Sequence, residues 1–171
     1  MLDKKIVKLL NEQVNAEFYS AYLYLDFANY FGEKGLAGYE NWFTIQAQEE
    51  RDHAMLFVQY LKNNGEKITL EAIKKPDVPL KKDLDALEGA LEHEELVTGL
   101  IDKIYEAANA AKDFRTAQFL GWFITEQGEE EMNAMNNIEQ YKLFGSDPKG
   151  LFALDREMGA RTYEPPSLVL D

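Results

Sequence analysis

Apolar residues recur along this chain at intervals of three and four with no sustained alternation, a period that predicts helices rather than strands. Punctuation is sparse: prolines stand only at 76, 79, 148, 165 and 166, leaving long uninterrupted stretches. The pattern predicts four long helices, over about 4–31, 36–63, 83–109 and 113–143. Gly32-Glu33-Lys34-Gly35 and Asn109-Ala110-Ala111-Lys112 are tight connections, so helices one and two, and helices three and four, are antiparallel neighbours. The middle connection, about 64–82, is long and polar. A helix of roughly 28 residues is about 42 Å long at ~1.5 Å per residue, and roughly 19 extended residues reach about 60 Å. The linker can therefore cross the whole bundle and start helix three in the direction of helix two. The expected fold class is all-α, a four-helix bundle with one long crossover connection.

A short fifth helix is expected over about 147–158, because Asp147-Pro148 reads as an N-cap with proline at the first helical position. Gly159 reads as the left-handed residue just past its end. Such a short helix is marginal alone. Its stripe of Leu151, Leu154 and Met158 needs either the bundle end or neighbouring copies to pack on. The tail 161–171, with Pro165-Pro166, reads as extended, and residues 1–171 are read as one domain.

Certain acidic positions fall inside the apolar seams. Helix one reads Leu10, Val14, Glu17, Ala21, Tyr24, Ala28, and helix two reads Phe43, Ala47, Glu50, Ala54, Phe57, Leu61. Helix three reads Leu84, Leu87, Leu91, Glu94, Thr98, Ile101, Tyr105, Ala108, and helix four reads Leu120, Phe123, Gln127, Glu130, Ala134, Asn137, Tyr141. Each helix thus places one glutamate near its middle, where an apolar side chain is expected. His53 follows Glu50 by one turn on nearly the same face. An ionised carboxylate buried without a partner costs at least several kcal/mol. Four such groups would rival a domain's whole net stability of about 5–15 kcal/mol. No lysine or arginine lies in these seams to neutralise them. Two divalent cations would balance four carboxylates and leave His53 as a nitrogen ligand. Oxygen-rich ligation with one imidazole suits iron or manganese better than structural zinc. Glu50-x-x-His53 is also the helical pair that dinuclear carboxylate sites use.

Composition narrows the partners. With 18 basic and 31 acidic residues the net charge is −13, which argues against a nucleic-acid partner. Cysteine is absent, which excludes a disulfide scaffold, a thiol enzyme and a cysteine-held cluster. Asp3, Lys4 and Lys5 open the chain with no apolar run behind them, and the longest uncharged stretch, 116–125, is far short of a membrane span. The expectation is a cytoplasmic protein without a membrane partner.

Four stretches carry a resemblance to a known family: Asn15-Ala16-Glu17-Phe18-Tyr19-Ser20-Ala21-Tyr22-Leu23-Tyr24, Gln48-Glu49-Glu50-Arg51-Asp52-His53-Ala54, Glu92-His93-Glu94 and Phe123-Ile124-Thr125-Glu126-Gln127. In order and spacing the chain resembles the ferritins, and specifically the non-haem prokaryotic ferritins, from about Leu2 to Pro166. The resemblance implies a ferritin-like fold. It implies an iron-storage function in which Fe(II) is oxidised by O2 at a dinuclear site, with ferric mineral deposited in a hollow cage of twenty-four copies. Residue by residue it implies Glu17, Glu50 and His53 at the first iron site, with Glu50 bridging. Glu94 and Glu130 match the second, with Gln127 close by. Glu49, Glu126 and Glu129, sharing Glu130, match a third, less occupied iron site. Tyr24 matches a tyrosine beside the dinuclear centre and Trp122 a tryptophan proposed as an electron donor.

Other branches of the family fit less well. The methionine that holds haem in bacterioferritins is replaced by Arg51, so no haem is expected, and Asn133 stands where those proteins repeat the Glu-x-x-His pair. The acidic pair of the animal three-fold pore falls at Ala117 and Leu120. Gly128, mid-helix, departs from the family and bears on the geometry of Gln127 and the third site. Several residues carry plainer readings. His93 lies about 100° off the seam and reads as a surface histidine, and Glu131 as part of a solvated face. Trp122 reads first as packing. Tyr24 fits a structural hydrogen bond to a ligand glutamate as well as it fits electron donation.

Overall fold

A helix starts where something takes up the free N–H groups of its first turn. The computed structural model describes residues 2–170 and contains α1 (Lys4–Glu33), α2 (Ala37–Asn63), α3 (Asp83–Ala110), α4 (Phe114–Phe144) and α5 (Pro148–Met158), with no strand among the described residues. The expected boundaries agree within two residues at every end. Asp3 accepts from the Lys5 amide at 2.7 Å, Asp113 from Thr116 at 3.1 Å and Asp147 from Gly150 at 2.8 Å, opening α1, α4 and α5. In α3 the Asp85 carboxylate reaches back to the amides of Lys81 and Lys82, at 2.8 and 2.9 Å. α2 starts on Leu36, whose side chain cannot cap. Its Gly38 and Tyr39 amides donate instead to the carboxylate of Asp155 in α5, at 2.9 and 3.0 Å.

The helices form the expected bundle. Gly35 at φ +74° and Lys112 at φ +56° turn the two tight connections. α1 packs on α2 and α3, α3 packs on α4, and α5 lies across the ends of α2 and α4. The crossover 64–82 has no regular structure, yet two asparagines of α1 hold it as a strand would. Asn11 donates to the Lys67 carbonyl at 3.1 Å and accepts from the Thr69 amide at 2.6 Å. Asn15 repeats the pattern on the Thr69 carbonyl and the Glu71 amide, at 2.8 and 2.7 Å.

The apolar core is cut in two along the bundle axis. One cluster gathers Leu10, Val14, Phe57, Leu61, Ile101, Leu120 and Phe123; the other gathers Phe27, Phe31, Phe43, Leu87, Ile138, Leu154 and Met158. On every long helix the seam glutamate lies in sequence between the two clusters, so the four glutamates form one polar layer across the middle.

Three expectations need correction. In α3 the buried stripe runs through Ala90, Val97 and Ile104, whereas Leu91, Thr98 and Tyr105 are only half-buried. α3 faces both α1 and α4, which broadens its buried face and brings the small alanines to the close contact while the larger side chains lie at its margin. In α4, Ile138 rather than Asn137 is buried, in the cluster that also takes Leu154 and Met158 of α5. Gly159 has φ −69°, so it supplies no left-handed turn. Its role is closeness: a Cβ on Gly38 would fall 1.5 Å from the Asp155 carbonyl oxygen and 2.9 Å from the Gly159 nitrogen. The bundle end is what buries α5, with Leu154 and Met158 in the second cluster and Leu151 against it. α4 passes through Gly128 unbroken, and a Cβ there would meet nothing within 4 Å. No helix among the described residues is long and apolar enough to cross a membrane.

Candidate metal centre

The polar layer is buried. Glu17, Glu50, His53, Glu94, Gln127 and Glu130 are each at most 7 % exposed. Helical spacing places them: Glu50 and His53 stand one turn apart on α2, with Oε2 of Glu50 3.5 Å from His53 Nδ1. Ligand atoms of Glu17, Glu50 and His53 all lie within 4.8 Å of one another, the one group of three acidic or imidazole side chains so close among the described residues.

Glutamines hold the carboxylates. Gln13 donates to Oε1 of Glu17 at 2.8 Å and Gln46 donates to Oε1 of Glu50 at 3.0 Å, each across one turn of its own helix. Gln127 reaches from α4 to α3 and donates to Oε2 of Glu94 at 3.0 Å and to its carbonyl at 3.2 Å. The Tyr24 hydroxyl donates to Oε1 of Glu94. Oε2 of Glu17 is buried with no hydrogen-bond partner. Such orphans are few in a folded protein; the Tyr39 hydroxyl is another, but only Glu17 Oε2 belongs to a trio of possible ligands, which makes it a candidate place for a cation.

Titration behaviour follows from this crowding. Burial first, and then the charge of Glu50, push Glu17 up to about 8. Burial and Glu50 likewise push Glu130 up to about 7 and Glu94 well above the usual carboxylate range. Burial works against ionised Glu50 too, but its hydrogen bond to His53 and the charge of that ring outweigh it and hold Glu50 low. Burial disfavours charged His53, yet Glu50, Glu17 and Glu130 together raise it to about 10. Without metal the layer therefore favours Glu50 and His53 as an ionised pair, while Glu17, Glu94 and Glu130 keep their protons to higher pH than a solvated carboxyl does.

The residues expected at a third site lie beside this layer. Glu49 and Glu126 are half-buried and Glu129 is exposed, and with His53 and Glu130 they line a cavity of about 340 Å³. Their oxygens do not converge as those of the first trio do. Glu49 is instead paired with Arg161 from the C-terminal tail. Trp122 also lines the cavity, edge-on to His53 with ring centroids 5.5 Å apart, and donates its Nε1 to Ser167 at 2.9 Å.

Two plainer readings are overturned. His93 is not a surface histidine: α1 covers that face of α3, the ring lies edge-on to Tyr19 and Tyr24, and Nε2 is 2.7 Å from the Ser20 hydroxyl. Glu131 is half-buried and accepts from Thr98 at 2.5 Å, tying α4 to α3. The sequence reading missed Gln13, Gln46 and Arg161. A glutamine one turn before the seam glutamate, in both α1 and α2, was the available signal for the first two.

Comparison with known proteins agrees with this geometry. A family profile described as "Ferritin-like domain" matches residues 7–144. The chain is 37% identical to a bacterial non-heme ferritin of Campylobacter jejuni over 156 residues, covering 91% of this chain and 93% of that protein. It is 32% identical to a bacterial non-heme ferritin of Staphylococcus aureus over 164 residues, covering 96% of this chain and 99% of that one. An open pore ferritin from the archaeon Archaeoglobus fulgidus superposes with a TM-score of 0.91 at 42% identity, over 94% of this chain and 98% of that one. An engineered closed form of the same ferritin gives 0.93 at 41%, over 96% and 100%. A profile match over most of the chain and relatives above 30% identity across nearly its whole length make the conclusion plain: this chain belongs to the ferritin family, among its non-haem prokaryotic members.

Proposed function

We propose that this protein stores iron, oxidising Fe(II) with O2 at a dinuclear site in the polar layer and depositing the ferric product inside a hollow homo-oligomer. The observation that carries the reading is the layer itself: four glutamates and a histidine, each at most 7 % exposed, with one Glu17 oxygen left without a partner. The donor set of carboxylates and one imidazole fits iron. Glu17, Glu50 and His53 take the first ion; Glu94 and Glu130, with Gln127 alongside, take the second; Glu50 bridges the pair. Each Fe(II) gives one electron to a shared O2, which takes up two. The protein's part is to hold both ions at one fixed separation so that the two electrons leave together. The raised carboxyls surrender their protons as Fe(II) binds, so uptake is coupled to proton release. Glu49, Glu126 and Glu129 take a third ion more weakly and lie on the way out of the layer. No haem, nucleic acid or membrane takes part in this reading, and the expected location is the cytoplasm.

Calorimetry on metal-free, oxygen-free protein tests the site. It should find two Fe(II) bound tightly per chain and a third more weakly, with O2 consumed once air is admitted. One tight site, or none, overturns the dinuclear reading. His53→Ala should weaken the first ion, Glu130→Ala the second and Glu50→Ala both. Glu49→Ala or Glu129→Ala should leave the first burst of oxidation nearly intact and alter later mineral growth. Assembly is tested separately. Leu96, Phe152 and Leu143, at 56%, 65% and 72% exposed, leave apolar surface for contact between copies. Light scattering should report a particle near twenty-four chain masses, with an electron-dense core after iron loading. A monomer or dimer that still oxidises iron refutes the cage and spares the site.

A further inference from the structure

Beyond α5 the chain folds back over the bundle and brings a cation of its own to the third-site carboxylates. Arg161 Nη2 pairs with Oε2 of Glu49 at 2.5 Å, while Nη1 donates to Oε1 of Gln46 at 2.8 Å and to the Trp42 carbonyl at 3.3 Å. The guanidinium also lies 4.1 Å over the Trp42 ring. Arg161 and Glu49 are each 16% exposed. This is not the loose ion pair of two solvated side chains, which contributes little; the arginine fork is held by three oxygens and a ring face.

Two further anchors draw the tail across the cavity. The Tyr163 hydroxyl donates to Asp52 of α2 at 2.6 Å, and Ser167 accepts from Trp122 of α4 at 2.9 Å. Pro165 and Pro166 stiffen the stretch between them. Residues 160–167 thus run from α2 to α4 over the open side of the space lined by Glu49, Glu126, Glu129 and Glu130. Besides His53, Arg161 is the only basic side chain lining it among the described residues. It forms an ion pair with Glu49 and with none of the other four acids that line the space, Glu126, Glu129, Glu130 and Glu164.

We propose that Arg161 is a tethered cation that competes with the third iron ion for Glu49, so that the C-terminal strap sets how strongly that ion is held. This inference rests on the third site of the proposed function. Arg161 occupies Oε2 of Glu49 and draws on its charge, so a metal ion at Glu126, Glu129 and Glu130 gains Glu49 as a full fourth carboxylate when Arg161 releases it. The arginine keeps Gln46 and the Trp42 ring as partners when it does so, which lowers the cost of release. The alternative is that the pair merely fastens the tail.

Anaerobic Fe(II) calorimetry on the full, assembled chain separates the two, using Arg161→Gln, Arg161→Lys, Glu49→Gln and the Arg161→Gln/Glu49→Gln double variant. Hydrogen bonds to charged groups contribute about 1.5–3 kcal/mol, so removing the competitor should tighten the third, weaker class roughly tenfold or more. The two tight sites should change far less than the third, because Gln46 keeps its own bond to Glu50 when its Oε1 loses Arg161. Arg161→Lys, which keeps the charge without the fork, should fall between wild type and Arg161→Gln. In the Glu49→Gln background, Arg161→Gln should have no effect on the third class. With two tight sites present, a third class that is unchanged or weakened in Arg161→Gln overturns the proposal. So does a shift of all three classes together, which a purely structural tail would give. If wild type lacks the two tight sites, the proposed function itself fails and this inference falls with it.

Discussion

Gln13 fixes one oxygen of Glu17 at 2.8 Å, and no donor reaches the buried other oxygen, which shares its surroundings with the Glu50 carboxyl. The held oxygen sets the direction of the free one, so the amide aims a ligand rather than satisfying it. Such supporting bonds typically carry 10–100-fold of metal affinity. Gln13→Met keeps the volume and removes the donor. Tight Fe(II) binding at the first site should weaken about tenfold by anaerobic calorimetry, with the second ion less affected. Unchanged affinity for both ions would show that Glu17 needs no aiming.

Metal-free protein should lose stability as the pH rises. A group whose pKa is raised in the folded state stabilises the fold fully below its unfolded value and loses that contribution as pH climbs through its folded value. Glu17, raised from 4.5 to about 8, and Glu130, raised to about 7, both act in this direction. His53, raised from 6.5 to about 10, adds to the same loss at the alkaline end. Glu50, held low, contributes above its unfolded value of 4.5 and loses that contribution only as pH falls through its folded value. The thermal midpoint of metal-free protein should therefore fall steadily between about pH 5 and 9. Anaerobic Fe(II) should remove most of that slope, because the metal replaces the protons. A flat profile without metal, or an equal slope with it, contradicts the burial of these carboxyls.

The polar layer was legible in the sequence because its chemistry is local. Glu50 and His53 are three residues apart, and Glu94 interrupts a stripe running from Leu87 to Ile101. The phase of α3 was only half legible. Leu91 and Ala90, or Thr98 and Val97, satisfy the same three-four spacing, and the choice depends on which neighbours the helix faces. Contacts between distant residues were not legible at all. Arg161 meets Glu49 across 112 positions and Asp155 meets Gly38 across 117. Neither periodicity nor capping rules, which work within one helix, carry information over that range. His93 was misjudged for a related reason: a residue 100° off one seam is on the surface only if no third helix covers it, and α1 does.

Tyr24 offers a clean division between holding and electron transfer. Its hydroxyl donates to Glu94, and its ring stacks on Phe43 at 5.9 Å between centroids. Tyr24→Phe keeps the ring and removes the donor, leaving a buried carboxylate oxygen short of a bond that contributes about 1–3 kcal/mol. Without oxygen present no electron leaves the iron, so anaerobic binding reads the hydrogen bond alone. Affinity for the second Fe(II) should fall roughly tenfold. Undiminished anaerobic binding together with slower oxidation in air would assign Tyr24 to electron donation instead.

The junction of α2 with α5 should be the point at which the C-terminal strap can be released without touching the metal layer. Leu36 cannot cap α2, so Asp155 does it from α5, accepting from the Gly38 and Tyr39 amides at 2.9 and 3.0 Å. Asp155→Ala strips that cap, a loss of about 0.5–2 kcal/mol, while leaving Leu154 and Met158 in the second core cluster. Gly38→Ala is the harsher change. Its methyl would sit 1.5 Å from the Asp155 carbonyl oxygen, which is backbone and cannot swing aside, so α5 has to lift as a unit. Residues 160–167 follow α5 directly, held by the side chains of Arg161, Tyr163 and Ser167 and by Asn41 of α2, which donates to the Arg161 carbonyl at 3.0 Å. Limited proteolysis should therefore cut the C-terminal segment faster in Asp155→Ala than in wild type, and faster still in Gly38→Ala. The two tight Fe(II) sites should survive in both variants, since every side chain proposed to build them belongs to α1–α4. Equal protection of the segment in all three proteins would mean that α5 is fastened by something other than this capped, glycine-lined contact.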